Sequence, residues 1–142
     1  MKIAPLFLVT HIVLTGAPLA HADTWLRAEI YFVDWDVSTR TQLSPQRVRE
    51  LADYKRTLRR DAPSIARLLV PETLKRTRDK QSEDARLVVD LYTDNFVRIT
   101  YYASRFNLCN ETSTAKRPVD EQFRQRFKRL AKGGRLTTSA TR

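Results

Sequence analysis

The sequence predicts an α+β domain: a small three-stranded antiparallel or mixed sheet with helices packed on one face, in the order strand, helix, helix, hairpin, helix. Three observations lead there. Residues 25–37, 86–92 and 96–103 are rich in β-branched and aromatic residues and alternate with the period of a strand. Ser44-Pro45 is a helix-start pair, with Ser44 placed to cap and Pro45 at the first helical position. Residues 119–132 carry Val119, Phe123, Phe127, Leu130 and Ala131 at helical spacing.

In the first strand, Ala28, Ile30 and Phe32 alternate with Glu29, Tyr31, Val33 and Trp35, so both faces are at least partly covered. Asp34-Trp35-Asp36 then falls near the strand end. The helix after Ser44 is expected to run to about Arg60, with Val48, Leu51, Ala52 and Leu58 inward and Arg49 paired to Asp53. A second helix restarts at Asp61-Ala62-Pro63, buries Ile65, Leu68 and Leu69, and is limited by Pro71. Residues 75–84 are almost wholly polar, a solvated loop or an exposed helical extension.

Thr93-Asp94-Asn95 supplies turn chemistry between two strand-forming runs, which reads as a β-hairpin. Leu87, Val89 and Leu91 line one face of its first arm, and Val97, Ile99 and Tyr101 line one face of its second. Asp90 interrupts the apolar run and needs a partner, for which Arg98 across the hairpin is the nearest candidate. Residues 107–117 read as a polar connection. The last helix places Asp120 and Glu121 at its N-terminal end, where negative charge complements the dipole. Gly133-Gly134 ends it.

The domain plan is a cleavable export signal over residues 1–22, a single α+β domain over 23–132 and a disordered tail over 133–142. The signal has an early Lys2, an apolar stretch from Leu6 to Leu14 and a small-x-small close at Ala20-His21-Ala22. This plan puts the chain in a periplasm or in the medium. It also removes both histidines, His11 and His21, from the remaining 120 residues.

That loss excludes much chemistry. A chain without histidine has no Ser-His-Asp triad and no histidine-rich metal site. Cys109 is the single cysteine, so neither an internal disulfide nor a Cys-x-x-C redox pair can form. Beyond Gly16 the only glycines are Gly133 and Gly134, which leaves no glycine-rich phosphate cradle. No cofactor is expected, and the reading is of a protein that is not an enzyme.

Charge is uneven. From Lys116 to Arg142 there are nine basic residues and two acidic ones, whereas residues 23–115 hold sixteen and fourteen. The basic C-terminal region suits an anionic partner. Nucleic acid is disfavoured by the export signal, and no later segment is long and apolar enough to span a membrane.

Three contact elements follow: the strand end Asp34, Trp35 and Asp36; the sheet face with Tyr92, Arg98 and Tyr102; and the loop from Asn107 to Arg117, joined by the basic side chains Lys116, Arg117, Arg124 and Lys128. The expected function is protein binding, as an inhibitor or immunity protein that occludes an exported hydrolase or toxin with an acidic surface. The alternatives are a peptidoglycan- or carbohydrate-directed module or carboxylate-dependent enzyme built on Trp35 and its flanking acids, and a structural envelope protein that self-associates through a strand edge.

Overall fold

The computed structural model describes residues 24–69, 74–76, 83–112 and 115–136. The expected export signal, Pro71, residues 77–82 of the polar interval and the end of the tail past Leu136 lie outside the described residues. The elements are β1 (Trp25–Phe32), α1 (Pro45–Leu51), β2 (Tyr54–Leu58), α2 (Ala62–Leu69), β3 (Lys75–Arg76), β4 (Leu87–Thr93), β5 (Arg98–Ala103), β6 (Asn107–Asn110), β7 (Ala115–Pro118) and α3 (Glu121–Ala131).

The strands form one seven-stranded sheet in the order β2-β1-β4-β5-β6-β7-β3, antiparallel at every pairing. This overturns the expected three-stranded sheet. The helices also lie on both faces rather than one. Ala28, Ile30, Phe32, Leu87, Val89 and Leu91 pack against Ile65 and Leu69 of α2 and Phe127 and Leu130 of α3. Across the sheet, Val33, Leu43, Ala85 and Val88 pack against Val48 of α1.

The missed strands have two causes. β2 continues directly from α1, and its inward residues Tyr54 and Leu58 also fit a helical period, so the sequence carries both readings. The chain leaves the helix at Ala52, whose φ of −55° and ψ of 127° are extended. Leu51, expected inward, is half exposed. β6, β7 and β3 are two to four residues long and mostly polar. Their strand state comes from backbone pairing with neighbours that are already strands, not from their own composition.

Local expectations fare better where chemistry is specific. Ser44 caps α1 by accepting from the Arg47 N–H, and Asp120 caps α3 by accepting from the Phe123 N–H at 2.7 Å. The hairpin forms between β4 and β5 with Val89 opposite Tyr101 and Leu91 opposite Ile99.

Asp90 is 1% exposed, and its partner is not Arg98. Arg49 of α1 donates to both carboxylate oxygens, Nε to Oδ2 at 3.0 Å and Nη2 to Oδ1 at 2.8 Å. Thr100, directly across on β5, donates its hydroxyl to Oδ1 at 2.6 Å. The expected Arg49–Asp53 pair is therefore replaced, because a fork-shaped guanidinium satisfies a buried carboxylate better than an exposed one. Removing Arg49 leaves the buried charge unmatched. Arg49→Met is expected to destabilise by about 3–5 kcal/mol in urea denaturation, and adding Asp90→Val should recover more than half of the loss.

Candidate functional site

The ten residues singled out from the sequence do not form one site. Five converge at the sheet end where β1 finishes. Lys128 of α3 donates to Asp34 at 2.9 Å and to Asp36 at 3.3 Å, and Lys132 lies 3.2 Å from Asp34. The Trp35 indole N–H donates to the Arg124 carbonyl, while the Arg124 guanidinium is held by Glu121. Trp35 is 6% exposed and meets Phe32 edge-on, which leaves almost no ring face for stacking on a sugar. These charges mostly neutralise one another, so the corner acts as a clamp between β1 and α3.

Burial pushes the Asp34 carboxyl up, but hydrogen bonds from Lys128 and Lys132 outweigh it and hold the pKa below its ordinary 3.8. Hydrogen bonding to Asp34 raises Lys128 correspondingly.

Three more lie apart. Arg117 donates to the Leu68 carbonyl and sits over the Phe123 ring, bracing α2 and α3. Lys116 reaches Glu83 at 3.8 Å. Tyr102 packs beside Val88 under α1, and burial, with the adjoining Cys109 thiol, pushes its phenol up to about 12.

Tyr92 and Arg98 face each other at the opposite sheet end, beside the β4–β5 turn. The Tyr92 hydroxyl donates to Glu29 at 3.1 Å, as does that of Tyr31, and Arg27 lies 4.0 Å above the Tyr92 ring. Burial, then the Glu29 carboxylate, pushes the Tyr31 phenol up to about 12.

The turn itself holds the residue that sequence reasoning misplaced. Phe96 donates its N–H to the Thr93 carbonyl, and Thr93 donates to the Val97 carbonyl, so Asp94-Asn95-Phe96 is a three-residue loop. Such loops end on a left-handed residue, normally glycine. Here it is Phe96, with φ of 59° and its side chain 91% exposed. Val97 and, at the start of β1, Leu26 are exposed at the same end. The alternation of Val97, Ile99 and Tyr101 already left Phe96 on the polar side, and that was the available clue.

Among the described residues, no group of three or more histidine, cysteine or acidic side chains is placed to hold a metal ion. No helix among them is long and apolar enough to cross a membrane. No family model matches the chain, and no curated protein or solved structure does.

The lowered Asp34 pKa fixes a direction. Its ion-pair contribution is complete above the ordinary carboxylate pKa and is lost as pH falls through the lowered value. Thermal melts from neutral pH into strong acid should show wild type losing its advantage over Asp34→Asn across that window. For Tyr31, phenolate absorbance should rise only near pH 12, and Glu29→Gln should move that rise downward.

Proposed function

We propose that this chain is an exported, non-enzymatic protein-binding domain that blocks a hydrolase or toxin by seating the Phe96 hairpin in the partner's cleft. The observation that carries the reading is Phe96 itself. A large apolar ring stands in water on a backbone conformation that costs a non-glycine residue about 1–2 kcal/mol. Among the described residues, nothing packs over the ring. A strained, exposed aromatic is accounted for when it fills a pocket on another molecule.

The surroundings support the same use. Tyr92, Arg98 and Arg27 flank the projecting turn and offer directional contacts at its rim. The formal charge of +10, of which only Lys2 would leave with the signal, favours encounter with an acidic cleft. Self-association through a strand edge is the weaker reading. One edge carries Lys55-Arg56 and the other Lys75-Arg76, and adjacent bases on edge strands oppose pairing between copies.

The test is retention of a partner from periplasmic and secreted extract, followed by titration of that partner's activity. Stoichiometric inhibition by this protein is expected. Phe96→Ala should weaken it by about thirtyfold, the weight of a hot-spot residue. Phe96→Gly should weaken it equally, yet keep folding stability or raise it by up to about 1 kcal/mol as strain is relieved. Unchanged inhibition in both variants would refute the hairpin as the contact.

A further inference from the structure

At the end of the sheet away from Phe96 lies a cavity of about 730 Å³, within the range of small-ligand sites. The loop after β1 supplies Ser38, Thr39 and Gln42; the strand entering β4 supplies Glu83, Asp84 and Arg86; the β5–β6 turn supplies Ser104, Arg105 and Phe106. Its construction is specific. Arg86 is 2% exposed and is locked by Asp84 at 2.6 Å, the Thr39 hydroxyl and the Val37 carbonyl. Arg105 donates to the same Val37 carbonyl from the other side. Two guanidiniums on one carbonyl fasten the loop to the turn and fix the cavity wall.

Polar capacity remains on that wall. The Glu83 side chain is 13% exposed; its Oε1 accepts from Asn107 and lies 3.8 Å from Lys116, and among the described residues its Oε2 has no partner. The Ser104 hydroxyl accepts from the Phe106 and Asn107 N–H groups, and this tight turn holds the Phe106 ring 71% exposed at the rim.

The charged lining residues are two acids and two arginines, with Lys116 3.8 Å from Glu83, so the charges are largely held by one another and no cluster of one sign faces the cavity. It offers a donor, an acceptor, uncharged hydroxyl and amide groups, and one flat apolar ring. We propose that this cavity binds a neutral oligosaccharide. One sugar ring lays its C–H face on Phe106, and its hydroxyls pair with Glu83 Oε2 and the Arg105 guanidinium. Trp35 takes no part. The proposal does not rest on the protein-blocking role, because the cavity and the Phe96 hairpin lie at opposite sheet ends.

The experiment is an isotope-edited NMR titration of the protein with chitotriose and with maltotriose, and with dextran sulfate as an anionic control. A neutral sugar should shift the amides of Ser38–Gln42, Glu83–Arg86 and Ser104–Phe106 and leave those of Asp94–Val97 unmoved. Phe106→Ala should weaken binding about tenfold. Glu83→Gln should weaken it with the remaining spectrum preserved, and Phe96→Ala should leave it unchanged. No shift with either sugar, shifts elsewhere, or tighter salt-sensitive binding of dextran sulfate to this cavity would overturn the proposal.

Discussion

The pairing of Asp90 with Arg49 and Thr100 is the interaction on which the layout depends. β4 is an interior strand of the sheet, between β1 and β5, with buried residues pointing to both faces. A carboxylate in such a strand needs more than the Thr100 hydroxyl beside it, so α1 lies over it with Arg49 supplying the opposite charge. That requirement puts α1 on the face opposite α2 and α3 and divides the apolar residues into two clusters. An ion pair of this kind adds little net stability over a packed apolar pair, but it permits one placement of α1 and penalises others.

With the middle of the sheet covered on both sides, the exposed features gather at its two ends. One end carries the projecting Phe96 ring, with Val97 and Leu26 exposed beside it. The other is concave and lined by side chains that mostly hold each other. This division follows from the antiparallel order, since β4 and β5 run the full distance between the two.

Legibility in the sequence tracked how local each determinant was. The hairpin arms, the Ser44 and Asp120 caps and the α3 stripe depend on residues within a few positions and were readable. β2 was not, because Val48, Leu51 and Leu58 fit a continuing helix and only strand pairing with β1 decides against it. β6 and β7 depend on partners elsewhere in the chain. The partner of Asp90 was misread because alternation identifies the face of a residue but not the element that covers it. At the candidate site, Tyr92 and Arg98 were found for their residue types. Phe96 reads as the first residue of the strand-forming run 96–103, and only the turn geometry takes it out of the strand. Phe106 and Arg105 carried no pattern at all. Their position depends on the Ser104 hydroxyl closing a turn between two strands, one of which was itself invisible.

Cys109 gives the sheet a property of a different kind. It sits on β6 opposite Tyr102 and Lys116, 6% exposed. Burial pushes its thiol up despite the hydrogen bond with Tyr102. Thiol chemistry needs an accessible thiolate, and the folded sheet withholds both access and ionisation. The native chain therefore resists cross-linking to a second copy even where oxidants are abundant. Any reagent that labels Cys109 must wait for β5 and β6 to separate, so the labelling rate is a clock for the opening of that seam.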